Sequence, residues 1–400
     1  MPTERPSLPT ITASAIESLF VNGLAGGYLW PFLPIILASA GITPSGIGLV
    51  FALANVLILS LRLPLGHMLD HAHPLGRLRG ALLLIPFPAT VALTLRAHHA
   101  VPAILVVLSL HLSRMPFLPL SLALLKIASE KGRTLFEPHV FVILQHLFLG
   151  GLGLLAGFTV QGIGVPRTFL SVSVLIFLIT GILLVAGFPP FPNARPKTPK
   201  TWYIPDRREI LMLVSFFSFH LVNAPLLPFA ELYMKSVAPH VSWVPWTAGI
   251  AEIAMALTAA LLIPINRLPR RSFWILISAS VVLVIRMGGY SLAPGALTTL
   301  FISLLDGYSS GAFWIVSLSW VANRMSGLGE FNQLAGYVDI SVTIGSILGN
   351  IAFGWGVGLW GFAGASKYFL GLNLLAPLFL LLSGRAAWAP HASQREALER

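Results

Sequence analysis

Three charged residues fall at mid-depth in the long apolar stretches of the second half of the chain, and they are Glu252, Arg286 and Asp306. A charged side chain at the centre of a membrane helix costs about 2.5 to 3.5 kcal/mol on insertion scales, so it generally needs a partner or water. A carboxylate that alternates between a dry protonated state and an ionised state paired with arginine can bind and release a proton. We therefore predict that Asp306 and Glu252 are proton-site candidates with Arg286 as their switching partner. The alternative is a static charge network that holds three helices together.

A second group of polar residues could contact a solute. The guanidinium of Arg114 suits bidentate binding of a carboxylate, or it could pair with Glu17 and never meet a solute. His146 could donate a hydrogen bond or take up a proton, or it could pack between helices. The residues that we predict to line a central cavity are Asn22, Arg114, His146, His220, Asn223 and Trp314.

The elements that must position these residues are apolar stretches long enough to cross a bilayer. The chain has 400 residues, of which 56% are hydrophobic and 10% charged, and this leaves too little polar surface for a soluble protein. A helix of about 20 residues spans the roughly 30 Å of hydrocarbon in a bilayer. We predict an all-α membrane protein with twelve transmembrane helices at residues 13–38, 44–65, 78–95, 102–127, 135–160, 168–189, 209–234, 241–265, 272–292, 296–323, 333–357 and 361–384.

Basic residues between the predicted helices indicate the orientation of the chain. Most of them fall on the side that would also hold both termini, and the positive-inside rule makes that side cytoplasmic. We expect a prokaryotic inner membrane. The opposite side holds Arg96, Arg167, Lys235 and Lys367.

The longest polar break divides the chain into two halves. Residues 191–208 combine several Pro with Lys and Arg, so we predict an N-terminal six-helix bundle at 1–190, a cytoplasmic linker at 191–208, and a C-terminal six-helix bundle with a short cytoplasmic tail at 209–400. A short repeat supports this division, because Pro31-Phe32 and Pro228-Phe229 lie 197 residues apart. Paired bundles of this kind hold substrate sites near the bilayer midplane and rock for alternating access.

The connection after the second predicted helix carries Gly66, Asp70, Gly76, Arg77 and Arg79. It resembles the corresponding loop of the major facilitator superfamily, with extra residues between Asp70 and Gly76. The resemblance covers the whole chain and implies two pseudo-symmetric six-helix bundles around a central cavity. It also implies a latch that stabilises the outward-facing state. The latch residues would be Gly66, Asp70, Arg77 and Arg79, with Asp339 as a partner on the cytoplasmic side.

Other segments resemble one branch of that superfamily. Pro31–Pro34 and the following segment 41–48, together with Trp246 ahead of Glu252, look like the branch of proton-coupled sugar, nucleoside and phenylpropionate-type permeases. The buried charges are similar to the proton-coupling cluster of sugar–proton symporters. The resemblance implies proton symport, and it does not name a substrate.

The sequence lacks the residues that several other classes of function need. The chain has no cysteine, which excludes thiolate catalysis, and it lacks the usual hydrolase, zinc-protease and nucleotide-binding motifs. We therefore predict no enzyme activity and no cofactor. His67, His71 and His73 have ligand chemistry, but a loop gives them no fixed geometry, and we predict no metal site. The basic residues are scattered over membrane loops, which does not suit nucleic acid.

These observations together predict a secondary active transporter that moves a small organic solute by alternating access, by proton symport. Its partners would be the solute, protons and membrane lipids, and we expect a monomer. We also expect that Asp306→Asn abolishes proton-coupled accumulation and spares folding. The alternatives are proton-coupled efflux of a drug, lipid-like compound or metal chelate, or a membrane scaffold or sensor that keeps the fold without turnover.

Overall fold

The structure is a computed structural model, and it describes residues 20, 23–71, 99–114, 138–186, 204–238, 240–262, 269–324 and 331–384. Within these ranges the secondary structure is helical, without a strand. The predicted helix at 78–95 lies outside the described residues, and so does most of the predicted linker. The helices are α1 Gly23–Ser39, α2 Pro44–His71, α3 Ala100–Arg114, α4 Pro138–Ile163, α5 Val165–Ala186, α6 Arg207–Val237, α7 Trp243–Leu262, α8 Pro269–Ser291, α9 Ala296–Arg324, α10 Phe331–Asn373 and α11 Leu375–Ser383.

Many of these helices have the length and composition of membrane spans. Six spans in the described part are long and apolar enough to cross a bilayer, and large side chains such as Leu261 and Trp355 point outward from them. An exposed apolar surface of this extent suits contact with lipid. The spans are Ile143–Ile163, Arg207–Val237, Trp243–Leu262, Arg271–Ser291, Ala296–Val321 and Gly336–Ser383.

Helix α1 changes its winding twice. It is a π-helix over Gly23–Leu29, a 3₁₀ turn over Trp30–Phe32 and an α-helix over Leu33–Ser39. Pro31 and Pro34 have no backbone N–H to donate, so a regular α-helical hydrogen-bond ladder cannot run through this segment.

Helix α6 has a defined start and carries two of the polar residues singled out above. Asp206 accepts hydrogen bonds from the backbone N–H groups of Arg208 and Glu209, and the Glu209 carboxylate accepts from the Asp206 N–H. This reciprocal capping box fixes the first turn. The helix then runs to Val237 through Pro225 and Pro228, further than the predicted end at 234.

Helix α10 is interrupted at Gly361, where the sequence predicted that a new helix begins. Gly361 has φ of 71° and ψ of 174°, a conformation that is essentially restricted to glycine. The chain continues as a helix to Asn373, and α11 then forms a separate short element. The predicted helix at 361–384 is therefore two pieces.

The N-terminal helices α1–α5 contact the C-terminal helices α6–α11 along a surface rich in glycine. A methyl group on Gly153 would lie 3.1 Å from the Cα atom of Gly249, and one on Gly354 would lie 3.0 Å from the Cα atom of Gly48. Glycine allows helix backbones to approach this closely. We call this surface the seam. It consists of the contacts of α4 with α7 and of α2 with α10 around Gly48, Gly150, Gly153, Gly157, Gly249 and Gly354.

The seam lies at one end of the molecule. Gly48 is in the second turn of α2, just after residues 40–43, and Gly249 is in the second turn of α7, just after residues 238–242. Gly157 lies in the last two turns of α4 and would meet the side chain of Trp246 if it carried a methyl group. Gln161 Nε2 also donates a hydrogen bond of 2.8 Å to Ser242 Oγ there.

Candidate functional site

A buried ion pair joins α8 to α9. Arg286 Nη1 donates a hydrogen bond of 2.6 Å to Asp306 Oδ1, and the two side chains are 1% and 7% exposed. Arg286 lies near the C-terminal end of α8, and helical side chains lean toward the helix N-terminus. Its guanidinium is therefore carried back toward the middle of the span, where Asp306 is.

Two neutral residues complete the surroundings of this ion pair. Arg286 Nη1 also donates to Asn223 Oδ1 at 2.8 Å, and Ser310 Oγ donates to Asp306 Oδ1 at 2.8 Å. Asn223 Nδ2 in turn donates to Ser310 Oγ at 3.1 Å. We call these four residues the polar ring. Because α6, α8 and α9 each contribute a member, a change in the charge of Asp306 acts on three helices.

Glu231 is a further acidic residue near the polar ring, and the sequence analysis missed it. Its side chain is fully buried, and neither carboxylate oxygen has a hydrogen-bond partner among the described residues. It interacts electrostatically with Asp306. A usable signal was present, since Glu231 follows Asn223 by eight residues and so lies on the same face of α6 two turns further on.

Glu252 contacts a histidine of the N-terminal helices. His146 Nδ1 on α4 lies 2.6 Å from Glu252 Oε2 on α7, and the side chains are 18% and 24% exposed. The sequence analysis grouped Glu252 with Arg286 and Asp306 and placed His146 with the cavity residues. The structure instead brings His146 and Glu252 together, beside the part of the seam where Gly150 meets Ile253.

An aromatic surface lies along α6 and α9 beside the polar ring. The rings of Phe219 and Phe313 are stacked at 4.4 Å, and His220 meets Phe313 edge-on at 4.8 Å. Trp314 lies 6.1 Å from His220 and is partly exposed. His220 and Asn223 are one turn apart on α6, as are Ser310 and Trp314 on α9, so polar and aromatic residues alternate along one face. Phe219, Phe313 and His220 are buried and Trp314 is partly exposed, so among these four rings Trp314 is the one that a solute could contact.

The comparisons with known proteins concern the fold. No family model matches the sequence, and no curated protein sequence matches it. Solved structures do match. A mutant of the nucleoside transporter NupG superposes with a TM-score of 0.75 at 14% identity, over 94% of this chain and all of that one. The fold is that of the major facilitator superfamily. Together with its apolar helices, this fold makes the chain an integral membrane protein.

Two further structures with the superfamily fold are similar over nearly their whole length. NupG without that mutation has a TM-score of 0.71 at 15% identity, covering 94% of this chain and 99% of its own. A bacterial homologue of the human lysosomal transporter Spinster, in an inward-facing and occupied conformation, has a TM-score of 0.69 at 14% identity. That match covers 95% of this chain and 98% of the homologue.

The remaining predicted site residues are only partly described. Asn22, Arg77 and Arg79 lie outside the described residues. Gly66 and Asp70 fall in the last turns of α2, and Arg114 ends α3, but their side chains lie outside the described part. Asp339 is partly exposed in the third turn of α10. Within the described part, no group of three metal-ligating side chains occurs.

Proposed function

We propose that this protein is a secondary active transporter that moves a small organic solute across a prokaryotic inner membrane by proton symport. The observation that carries the proposal is the Arg286–Asp306 ion pair, which is buried among membrane-spanning helices and is hydrogen-bonded to neutral residues on α6 and α9. An intramembrane ion pair is a functional candidate, because a static apolar contact would hold the helices as well without the desolvation penalty.

Proton binding at Asp306 would change the polar ring in a defined way. A protonated Asp306 no longer attracts Arg286, so the guanidinium is released from α9. The Asn223 amide and the Ser310 hydroxyl become available to a solute lying against His220 and Trp314. Solute and proton therefore act on the same three helices, which links their binding.

The conformational change would be a rocking of the bundle 1–190 against the bundle 209–400. The seam closes the end of the molecule opposite the start of α6 at Arg207. With both termini in the cytoplasm, as the basic residues favour, the outer side is closed and the conformation faces inward. Opening that side separates α4 from α7 and breaks the contact between His146 and Glu252. Glu252 would therefore contribute to the coupling of proton binding and conformational change at a place separate from the polar ring.

The remaining predicted residues would act on the cytoplasmic side. There, Gly66, Asp70, Arg77 and Arg79 would form the latch with Asp339 when that side closes, and Arg114 and Asn22 would contact solute from the N-terminal bundle. The chain would work as a monomer among membrane lipids, because each monomer of this fold has its own cavity.

The first solutes to test are suggested by the similar structures and by the aromatic surface. NupG is described as a nucleoside transporter, and a nucleoside has both a planar ring and hydroxyl groups that suit Trp314, Asn223 and Ser310. We therefore place nucleosides first, followed by sugars, aromatic acids and cationic drugs.

The test uses purified protein in liposomes with a pH-sensitive dye outside. Addition of one solute class should alkalinise the outside for the wild type and fail to do so for Asp306→Asn. Asp206→Asn is the matched control, because it also removes a carboxylate, outside the polar ring, and asparagine is as good a helix cap as aspartate. Equal alkalinisation in both variants would remove Asp306 from the mechanism. A folded wild type that is silent across the panel would overturn proton-linked uptake, and preloaded vesicles would then separate efflux from a non-transporting scaffold.

A further inference from the structure

The acidic and basic groups around the polar ring do not balance if all of them are ionised. Arg286 carries one positive charge, and Asp306 carries one negative charge that it neutralises. Glu231 adds a second carboxylate, which is fully buried and lacks any hydrogen-bond donor among the described residues. A buried carboxylate without a donor or counter-ion strongly favours its neutral form.

We propose that Glu231 holds a proton in this conformation and is the second acceptor of Arg286, so that a proton and an ion pair are exchanged between Glu231 and Asp306. In the exchange the proton leaves Glu231, a proton binds Asp306, and the guanidinium turns from Asp306 to Glu231. Each state has one protonated and one ionised carboxyl group, so the net charge of the three residues stays at zero. As a step of transport this rests on the proposed function above, whereas the protonation of Glu231 stands on its own.

Unused donors beside the polar ring support the exchange. Arg286 Nε has no hydrogen bond of ordinary geometry among the described residues. The buried hydroxyl of Tyr290 has none either, although Tyr290 interacts with Arg286 and Ser303. The Arg286 guanidinium lies 5.7 Å from the centre of the Tyr290 ring. Buried polar groups are nearly always hydrogen-bonded. An unsatisfied donor on Arg286 and an unsatisfied carboxylate that interacts with the partner of Arg286, Asp306, therefore favour a second arrangement in which Arg286 and Glu231 meet. An ionised Glu231 would then accept from Arg286.

Arg286 also favours a proton over a metal cation as the ligand of Glu231. The positive charge of Arg286 beside Asp306 would repel Na⁺, and Asp306 Oδ1 already accepts hydrogen bonds from Arg286 and Ser310. Asp306 is also the titratable group that acts on Glu231 from the elements packed against α6 in the described part of the chain. The other titratable groups on those elements are Tyr28 on α1, Glu252 on α7, Arg270, Arg271, Arg286 and Tyr290 on α8, Tyr308 and Arg324 on α9, and Tyr337, Asp339, Lys367 and Tyr368 on α10.

Infrared difference spectroscopy of the purified full chain in lipid tests this without a substrate. The wild type at neutral pH should show the carbonyl stretch of a protonated carboxyl group, shifted in D₂O, and Glu231→Gln should lack it. Glu231→Gln should fold, because it replaces one neutral group by another of nearly the same shape. Asp206→Asn, whose carboxylate caps α6 outside the polar ring, should keep the band. A band that persists in Glu231→Gln would overturn the proposal.

Two further variants test the exchange itself. In Asp306→Asn the Arg286 guanidinium loses its carboxylate partner and pairs with Glu231 instead. Glu231 is then ionised, so the band should disappear. In the double variant Arg286→Gln with Asp306→Asn no cation is left to hold an ionised Glu231, and the band should return. A band that stays in Asp306→Asn, or fails to return in the double variant, contradicts the exchange. If Asp306→Asn does not fold, the double variant is compared with the triple variant that also carries Glu231→Gln. A band present in the double variant and absent in the triple variant assigns the proton to Glu231, and a band present in both overturns that assignment.

The outcomes separate this proposal from the proposed function. A band that depends on Glu231, in a protein that transports nothing in the liposome panel, supports the proton site and overturns symport. Proton-coupled transport in a protein whose band does not depend on Glu231 supports symport and overturns this assignment.

Discussion

His146 Nδ1 lies 2.6 Å from Glu252 Oε2, and the two residues belong to helices on opposite sides of the seam. A hydrogen bond to a charged carboxylate is stronger than one between neutral groups. The pair is therefore positioned to stabilise the conformation in which this end of the molecule is closed.

Replacement of either residue should loosen the closed end. His146→Leu removes the hydrogen bond, and Glu252→Gln removes the charge, so we expect each to destabilise the closed conformation by about 1 kcal/mol, a roughly fivefold change in the ratio of open to closed molecules. Because the chain has no cysteine, Ser242→Cys supplies a single thiol in the seam, where Ser242 is fully buried. Maleimide labelling of this thiol should be faster in both variants. Ser236→Cys, which is exposed, should be labelled at the same rate in all backgrounds, and an unchanged rate at position 242 would contradict the prediction.

Adjacent glycines on α4 offer a matched test of the seam. A methyl group on Gly150 would lie 2.8 Å from the carbonyl oxygen of Gly249 and 2.6 Å from Cγ1 of Ile253, whereas one on Gly151 would have no neighbour within 4 Å. Gly150→Ala should therefore separate α4 from α7 and speed labelling of Ser242→Cys. Gly151→Ala gains about 1 kcal/mol of helix propensity and should leave labelling unchanged. Similar labelling in both variants would show that the close contact is unimportant.

Removal of one charge from the polar ring should lower the stability of the protein more than removal of both charges. Breaking a buried ion pair by deleting one partner costs about 3 to 5 kcal/mol, whereas replacing both partners is often neutral. Arg286→Gln should unfold at a clearly lower temperature at neutral pH and recover in part as the pH falls, because Asp306 then takes up a proton. Arg286→Gln combined with Asp306→Asn should unfold near the wild-type temperature and show no proton coupling. A double variant less stable than either single variant would contradict this.

The aromatic surface should contribute to solute affinity. Trp314→Ala removes a ring that a planar solute could stack on, and aromatic stacking is worth about 0.5 to 1.5 kcal/mol beyond burial, so the KM for uptake should rise by roughly threefold to tenfold. Trp360, which is 48% exposed near the break in α10, provides the control, and Trp360→Ala should leave KM unchanged. Equal effects of the two substitutions would argue against a stacking role.

The break in α10 should depend on the backbone of one glycine. Gly361→Ala meets no steric contact within 4 Å, yet it places a side chain in a backbone conformation that costs about 1 to 3 kcal/mol for residues other than glycine. We expect a lower unfolding temperature. Gly358→Ala is the control, since it also has no neighbour within 4 Å but lies in regular helix. If the two variants unfold alike, the strain at Gly361 is smaller than its dihedral angles indicate.

The helices could be predicted from the sequence because their lengths and apolar composition are local properties. The pairing of Arg286 with Asp306 could also be predicted, because the helices that carry them are neighbours in sequence and two opposite charges buried in a membrane attract each other strongly. The contact of His146 with Glu252 could not be predicted, because it depends on how each helix is rotated about its axis and on which helices, distant in sequence, meet at the seam.

Glu231 was overlooked for a different reason. It lies near the predicted end of its helix and is followed within a few residues by Lys235, a pattern typical of a solvated helix end. The helix in fact continues to Val237, and this extra turn keeps Glu231 inside the protein. A displacement of a few residues in a helix end was therefore enough to hide a buried acid.

The seam has a consequence for how fast the closed end could open. Glycine faces carry no side chains that must change rotamer or disengage, and the peptide groups they expose are already hydrogen-bonded within their own helices. Separating α4 from α7 along Gly150, Gly153 and Gly249 therefore breaks no backbone ladder. The groups that lose partners are those of the flanking side-chain hydrogen bonds, such as Gln161–Ser242 and His146–Glu252. The rate of opening should then be governed by the entry of water into the gap, which makes hydration of the seam the quantity to follow over time.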